Sequence, residues 1–257
     1  MSESSRKRGL VLVTGGSGYI AGYCIAELLN DGWSVRSTVR SSAKTKAVRQ
    51  SIADIASKAS EIEFVEADLN SDAAWDKAAI GAQYVLHVAS PVPVTDPKND
   101  DELIRPARDG TLRVLKAARD AGAKRVVITS SISAIIYGRG GREKPLTEED
   151  WTDETNRGDT SPYDRAKTMA ERAAWAWLAA EGGRLELVTV NPGLVLGPVL
   201  GSDFSASIEA IKKLLDGSIP SDLAIEPCKP QPDQSLAKQN PLSAQIGGHV
   251  SHNNCAM

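Results

Sequence analysis

A short apolar run that breaks into glycines is the feature that most constrains the fold of this chain. Residues 10–22 read LVLVTGGSGYIAG, with four glycines among the last eight residues. Glycine weakens both strands and helices because it has no side chain to pack and loses the most backbone freedom on folding. Its clustering directly after a buried strand indicates that another group approaches the backbone more closely than a side chain would allow.

Short apolar segments alternate with longer segments of helical character along most of the chain. The candidate strands are residues 10–14, 34–39, 63–65, 84–89, 125–130 and 185–191, and the candidate helices are residues 19–29, 44–57, 100–121 and 162–180. Continuous apolar runs such as RVVIT suit parallel strands that are covered by helices on both faces. The alternation of strand and helix therefore predicts an α/β fold with a doubly wound parallel sheet of the Rossmann type.

The glycine cluster has the spacing of a dinucleotide-binding turn. Gly15, Gly18 and Ala21 occupy the three small positions of the pattern T-G-x-x-G-x-x-[GA]. In a doubly wound sheet the first strand-to-helix turn meets the pyrophosphate of a dinucleotide, and small residues there allow a close backbone approach. A tight structural turn is the alternative, but the position after the first strand favours cofactor binding. The expected cofactor-binding residues of this turn are Gly15, Ser17, Gly18, Tyr19 and Ile20.

The end of the second strand indicates which dinucleotide is bound. The stretch SVRSTVRSSAK places Arg40 just past the strand and Lys44 four residues later, with no carboxylate nearby in the sequence. An NAD site typically carries an acid at this point, whereas arginine suits the 2'-phosphate of NADP. NADP(H) is therefore predicted and NAD(H) is less favoured; a solvated basic pair is the alternative.

The third strand ends in the sequence VEADL, which offers a further cofactor contact. Asp68 and Leu69 follow this strand, and a carboxylate at that place can reach the adenine amino group. Asp68 can equally serve as a helix cap or turn residue. Both interpretations stay open at this stage.

A tyrosine and a lysine four residues apart carry the predicted chemistry. In TSPYDRAKTMAE, Ser161 can cap a helix that begins at Pro162, so that Tyr163 and Lys167 lie on one helical face. A phenol with an ordinary pKa near 10 exchanges protons poorly at neutral pH, and an adjacent ammonium lowers that pKa. The run RVVITSSISA adds hydroxyls at the carboxyl end of a strand, where ligands of α/β proteins bind. Hydroxyl, phenol, ammonium and nicotinamide together define a carbonyl reduction site.

The chain resembles the extended short-chain dehydrogenase/reductases, and most closely the branch that contains dihydroflavonol 4-reductases, cinnamoyl-CoA reductases and microbial ketone or aldehyde reductases. The resemblance covers about residues 8–220, and its motifs occur in the family's order. They are VLVTGGSGYIAG, STVRSS, EADL, VLHVASPV, RVVITSSISA, YDRAK and NPGLVLGPVLG. The resemblance implies reduction of an aldehyde or ketone by a hydride from the nicotinamide.

The resemblance also implies roles for individual residues. Ser131 corresponds to the hydroxyl that holds the substrate oxygen, with Ser133 as an alternative. Tyr163 corresponds to the proton donor, and Lys167 to the residue that binds the nicotinamide ribose and lowers the tyrosine pKa. The turn Asn191, Pro192 and Gly193 corresponds to the segment beside the nicotinamide. The loop implied to lie beneath the ribose and pyrophosphate contains Val88, Ala89 and Ser90.

The sequence departs from the family near Pro220. Members of this family place a second lobe over the substrate, whereas residues 221–257 contain four prolines, few large aliphatic side chains and no helical or strand period. Such a segment buries too little apolar surface to offset the entropy of ordering its backbone. We therefore expect a Rossmann domain over residues 1–220, a disordered tail over residues 221–257, a substrate lobe that is largely missing, and reduced activity.

Composition excludes several other classes of protein. A net charge of -3 and a pI near 5.7 argue against nucleic-acid binding. No apolar run has the roughly 20 residues of a membrane helix, and the polar start is not typical of a signal peptide, so a cytoplasmic protein is expected. Cys24, Cys228 and Cys255 show no metal spacing, and no metal is predicted. His87 is interpreted as a buried histidine with satisfied hydrogen bonds.

Three functions are compatible with these residues. The favoured one is an NADP(H)-dependent oxidoreductase that acts on a small carbonyl substrate through Ser131, Tyr163 and Lys167. The second is an NAD-dependent sugar-nucleotide epimerase or dehydratase, which the basic Arg40 disfavours. The third is a non-catalytic NADP-binding protein, which the divergent tail suggests.

Overall fold

The computed structural model describes residues 8–91, 97, 99–140, 145–201 and 205–218. The strands are β1 (Leu10–Thr14), β2 (Ser34–Val39), β3 (Glu63–Glu66), β4 (Ala82–His87), β5 (Arg125–Thr129) and β6 (Glu186–Val190). The helices are α1 (Tyr19–Asn30), α2 (Thr45–Ala53), α3 (Trp75–Ala79), α4 (Asp101–Asp120), α5 (Pro162–Glu181) and α6 (Ala206–Leu215).

All six strands lie in one parallel sheet, in the order β3-β2-β1-β4-β5-β6. The strand order reverses beside β1, because β2 follows on one side of it and β4 on the other. Ligands of open α/β sheets bind at this point, outside the carboxyl ends of the strands. The topology therefore places the glycine turn after β1 at the expected site.

The side chains of β1 alternate between two apolar layers. Val11 and Val13 pack with Ile25 of α1 on one face of the sheet. Leu12 points to the other face, where it packs in a cluster with Val114 of α4 and with residues of α5. Helices thus cover both faces of the sheet, as the continuous apolar strands predict. The predicted α/β fold with a doubly wound parallel sheet is confirmed.

Strand β4 has the predicted six residues but is shifted by two positions toward the N-terminus. It ends at His87, two residues before the predicted end, because the N–H groups of Val88 and Ala89 donate to the Thr14 side chain. The Thr14 hydroxyl of β1 thereby takes these two N–H groups out of the hydrogen-bonding pattern of the sheet. Helix α2 is shorter than predicted: it ends at Ala53, where the backbone tightens into a turn in which Ile55 N–H donates to the Ile52 carbonyl.

Two helices were not predicted from the sequence. Helix α3 has only five residues, too few to display a helical period. Helix α6 begins at a capped end, where the Ser205 hydroxyl accepts the Ile208 N–H. An N-cap serine before a run with leucines and lysines was a usable signal for α6.

Part of the predicted domain organisation lies outside the described residues. Residues 221–257, with Cys228 and Cys255, are not among them, so the domain boundary near residue 220 stays a prediction. Cys24 packs partly buried against the α1 side of the core. No helix within the described ranges combines the length and apolar character that a membrane span requires.

Candidate active site

The glycine turn after β1 is packed tightly against the loop after β4. Gly15 has φ +74°, a conformation that L side chains rarely adopt, and a Cβ there would lie 3.0 Å from the backbone and the side chain of Ala89. Its N–H donates to the Thr38 hydroxyl at 3.0 Å. Glycine is thus required at position 15 for two separate reasons, backbone conformation and space.

Substituting Gly15 by alanine tests this requirement. The left-handed conformation costs an L residue roughly 1–2 kcal/mol, and the contact with Ala89 adds to that cost. We expect a loss of about 1–2 kcal/mol or more in the free energy of unfolding, measured by urea denaturation. The matched control is Gly158→Ala, because Gly158 has neither a positive φ nor a contact closer than 3.6 Å. An equal effect of the two substitutions would refute the assignment.

Helix α1 begins with unpaired backbone donors beside this turn. Its N-cap is Gly18, which has no side chain to accept the first N–H groups of the helix. Those donors have no partner within a helix, and the helix dipole adds positive potential. Tyr19 and Ile20 form the first turn of α1, and Ser17 precedes the cap. The turn therefore fits a negatively charged diphosphate.

A buried histidine positions the loop after β4. The Thr14 hydroxyl lies 2.9 Å from His87 Nδ1, and His87 Nε2 lies 3.2 Å from the Thr111 hydroxyl. Because Thr14 Oγ1 already accepts the N–H groups of Val88 and Ala89, its own proton is donated to Nδ1. His87 Nε2 then carries the proton and donates it to Thr111, whose hydroxyl donates to the α4 backbone.

Burial and the nearby charge of Lys167 keep His87 neutral. Burial, with a smaller contribution from the charge of Lys167, lowers the pKa of His87 to about 3. The prediction of a satisfied buried histidine is confirmed. Its role goes further, because through Thr14 it fixes Val88 and Ala89 against Gly15. The partners lie 73 and 24 positions away in the sequence, so no local pattern could reveal them.

The predicted NADP determinants lie at the carboxyl edge beside β2. Arg40 is the first residue after β2, Lys44 ends a short 3₁₀ turn, and both are exposed. One carboxylate does reach this loop from elsewhere: Glu66, at the end of β3, accepts the Ser42 N–H at 2.9 Å. An acid therefore lies near this loop in the folded structure, although none is nearby in the sequence. Glu66 holds the loop backbone that carries Arg40.

The aspartate after β3 adopts the turn geometry that the sequence left as an alternative. Asp68 Oδ1 accepts the Asn70 N–H at 2.7 Å, and its carbonyl accepts the Trp75 indole N–H at 3.2 Å. Leu69 packs against α4, where a Cβ on Gly110 would lie 2.7 Å from it. One carboxylate oxygen of Asp68 is therefore engaged within the turn. Contact with an adenine ring stays a prediction.

The proposed catalytic side chains are brought together by α5. Ser161 is the cap, as predicted: its hydroxyl accepts the Asp164 N–H at 3.2 Å, and Pro162 lies in the first turn. Tyr163 and Lys167 follow on one face, and Lys167 Nζ lies 5.8 Å from the centroid of the Tyr163 ring. Lys167 Nζ also donates to the Thr129 carbonyl at 3.1 Å, which joins the helix to the end of β5.

Ser131 rather than Ser133 approaches the phenol. A hydrogen bond with the Ser131 side chain acts on Tyr163 in the direction of a lower pKa. The Ser131 hydroxyl also accepts the Ser133 N–H at 3.1 Å, which makes Ser133 part of the supporting turn. Both serines are buried.

The ionisation of the site differs from what the resemblance implies. Burial raises the pKa of Tyr163 above its ordinary value, and the hydrogen bond with Ser131 only partly opposes this shift. Burial also lowers the pKa of Lys167 to about 8. The net shift of the Tyr163 pKa is thus upward, opposite to the lowering that the resemblance implies, and burial is its largest cause. A protonated phenol is the state required to give a proton to a substrate oxygen.

The turn after β6 closes the site on the β5 side. The Pro192 carbonyl accepts the Ile132 N–H at 3.0 Å, and Gly193 has open space around its Cα. Ser90 lines a small cavity together with Lys167 and residues of β4, β5 and α4. The described residues contain no cluster of side chains suited to a metal ion.

The chain is similar to known proteins over most of its length. The model of the NAD dependent epimerase/dehydratase family matches residues 11–225. The chain belongs to this family. Within the family it lies in the extended short-chain dehydrogenase/reductase branch of dihydroflavonol 4-reductases and cinnamoyl-CoA reductases, as the sequence motifs predict.

Individual members of the family share about a third of their residues with the chain. It is 36% identical over 222 residues to a cinnamoyl-CoA reductase of Medicago truncatula, a match that covers 84% of the chain and 67% of the relative. It is 32% identical over 220 residues to the dihydroflavonol 4-reductase of Zea mays, covering 83% and 60%.

A solved structure has a similar fold. The yeast methylglyoxal/isovaleraldehyde reductase complexed with NADPH superposes with a TM-score of 0.65 at 26% identity, covering 74% of this chain and 59% of that chain. The chain thus spans about two thirds or less of the length of these relatives.

Proposed function

We propose that the chain is an NADP(H)-dependent oxidoreductase that reduces an aldehyde or ketone. The observation that carries the proposal is the convergence of Ser131, Tyr163 and Lys167 at the carboxyl edge of the sheet, beside a glycine turn suited to a diphosphate. The relatives named as reductases and the NADPH complex of similar fold support it.

Different residues of this chain would bind the cofactor and protonate the substrate. The backbone donors of α1 and the turn at Gly15 would hold the diphosphate, and Arg40 and Lys44 the 2'-phosphate. When bound, the reduced nicotinamide supplies the hydride to the carbonyl carbon. Tyr163 would donate the phenolic proton to the carbonyl oxygen, so that an alcohol results.

The raised pKa of Tyr163 has a clear consequence for this step. The phenol is protonated at neutral pH and is therefore ready to act as a general acid. Ser131 would donate a hydrogen bond to the substrate oxygen and so orient it toward Tyr163. Lys167 would place its positive charge near the oxygen that becomes negative during reduction, since charge stabilisation in a buried site is strong.

A direct assay tests the proposal. The purified chain is mixed with NADPH or NADH and a panel of aldehydes and ketones, and the loss of reduced nicotinamide is followed by absorbance. We expect oxidation that depends on the carbonyl compound and is faster with NADPH. Failure to oxidise NADPH with any member of the panel, together with measurable NADPH binding, would favour a non-catalytic binding protein.

The same preparation discriminates the epimerase alternative. Epimerases return the hydride to their substrate and so retain the dinucleotide, and the family model that matches residues 11–225 includes such enzymes. Denaturing the purified chain and analysing the supernatant by chromatography would reveal retained NAD. Stoichiometric NAD in that supernatant would refute the reductase proposal.

A further inference from the structure

A buried carboxylate lies beneath the proposed catalytic residues. Glu171 is 5% exposed, although no basic side chain among the described residues donates a hydrogen bond to it. Its Oε2 accepts the Ser130 hydroxyl at 2.6 Å and the Asn191 amide at 2.8 Å, and Oε1 accepts the Trp175 indole N–H at 3.3 Å. A carboxylate is expensive to bury unless its oxygens are satisfied. The Glu171 carboxylate thus accepts three hydrogen bonds.

Two of these donors lie directly after strands whose carboxyl ends form the site. Ser130 follows β5 directly, and Asn191 follows β6 directly. Asn191 also donates through the same nitrogen to the Ser131 carbonyl at 3.0 Å. Since both contacts of that nitrogen are acceptors, the orientation of the amide is fixed. Glu171 thus connects, through Asn191, to the backbone of the serine that contacts Tyr163.

Helix α5 contacts the end of β5 at two successive residues. Lys167 donates to the Thr129 carbonyl, and one helical turn later Glu171 accepts the Ser130 hydroxyl. Residues four apart on a helix lie on one face, so both side chains point to the same small cavity. The two contacts fix the rotation of α5, and therefore the position of Tyr163, relative to the sheet.

The charged and titratable groups around Lys167 come from few elements. Within the cavity lining these are Glu171 on α5 and His87 on β4; the lining residues of β5 and α4 carry no ionisable side chain. Tyr163 lies on the other side of the lysine, one turn earlier on α5. His87 is neutral, and the negative charge of Glu171 favours the protonated form of Lys167.

We propose that Glu171 is a positioning residue of the site, which keeps Lys167 cationic and holds Ser131 in place through Asn191. The inference rests on the proposed reductase function and adds a residue to it. The charge and the hydrogen bonds of Glu171 have separate consequences, because the charge acts on Lys167 and the bonds act on Ser131.

Glu171→Gln separates the two effects. Its amide oxygen can still accept from Ser130 and Asn191, but the negative charge is lost. Lys167 should then lose its proton at lower pH, with a shift of about one pH unit, as is typical when an opposite charge is removed nearby. The shift is measured by NMR titration of the chain labelled with ¹³C-lysine, with the Lys167 resonance assigned from a Lys167→Arg variant.

The control is Glu181→Gln, the same substitution near the exposed end of the same helix. This variant should leave the titration of Lys167 unchanged. If Lys167 titrates at the same pH in the unmodified chain, Glu171→Gln and Glu181→Gln, the proposal is wrong. If Glu171→Gln does not fold, the unmodified chain labelled with ¹³C-glutamate decides: one glutamate carboxyl resonance should shift with the midpoint of Lys167, and the absence of any such resonance overturns the proposal.

Activity measurements add a second criterion. Glu171→Gln should lower kcat most at alkaline pH, where Lys167 has become neutral, and regain it toward acidic pH; Glu171→Ala, which also loses the bonds that hold Ser131, should not recover. Equal kcat profiles for both variants would contradict the division of roles. The NMR titration needs neither cofactor nor substrate, so a chain without reductase activity would refute the proposed function and leave the test of Glu171 intact.

Discussion

Replacing Tyr163 by phenylalanine is expected to lower the rate of carbonyl reduction by about 100- to 10,000-fold, the range that positioned general acids contribute. The substitution removes the only proton that the proposed mechanism transfers from this side chain and keeps the aromatic ring. Affinity for NADPH should change little, because the residues proposed to bind phosphate lie in the turn after β1, at the start of α1 and in the loop after β2. Stopped-flow or steady-state assays of kcat and fluorescence titration of NADPH measure the two quantities.

The matched control is Tyr84→Phe. Tyr84 lies on β4 and packs edge-on against Trp33, with ring centroids 5.6 Å apart, away from α5. The Tyr84→Phe variant loses a phenolic hydroxyl without a change at the site, so its rate of carbonyl reduction should equal that of the unmodified chain. A Tyr163→Phe variant with the rate of this control would show that the phenol is not the proton donor.

Local signals explain why much of the fold and the site could be predicted. The start of α5 depends on neighbouring residues only, since Ser161 caps the helix and Pro162 suits its first turn. The spacing of four residues then places Tyr163 and Lys167 on one face whatever lies around them. Apolar strands and a glycine turn likewise predict the sheet and its cofactor edge without knowledge of tertiary contacts.

The contacts that support the site depend on residues far apart in the sequence. Glu171 shares the helical face of Tyr163 and Lys167, and an acid on that buried face was a usable signal. Its partners Ser130 and Asn191 could not be identified, because a helical period gives the face of a side chain and not the residue opposite it. The contact of Glu66 with the Arg40 loop could not be predicted either, because it depends on the pairing of β2 with β3.

The positions of Tyr163 and Lys167 could be predicted from the sequence better than their pKa values. The pKa of Tyr163 depends on how deeply the ring is buried, a property of the assembled site that the four-residue spacing does not contain. Desolvation disfavours the charged form of both Tyr163 and Lys167, so it raises one pKa and lowers the other. Because the ordinary values, 10.0 for tyrosine and 10.5 for lysine, lie close together, these opposite shifts move the two pKa values apart.

Substituting Arg40 by aspartate is expected to reverse the preference between the two dinucleotides. A guanidinium can form paired charge-assisted hydrogen bonds to a 2'-phosphate, whereas a carboxylate repels it and accepts from the 2'-hydroxyl of NAD. Loss of a hydrogen bond to a charged group costs about 1.5–3 kcal/mol, which corresponds to about 10- to 100-fold weaker binding of NADPH. Affinity for NADH should stay the same or improve.

The surroundings of Arg40 make this substitution a clean test. The side chain is exposed, and the loop is held by the bond from Ser42 N–H to Glu66 rather than by Arg40 itself, so the backbone should keep its course. Arg184→Asp is the control for net charge, because Arg184 is exposed and precedes β6 at the opposite edge of the sheet. Calorimetric titration of the three proteins with NADPH and NADH should show the reversal in Arg40→Asp alone. Equal affinities for the two dinucleotides in the unmodified chain would contradict the assignment of Arg40 to the 2'-phosphate.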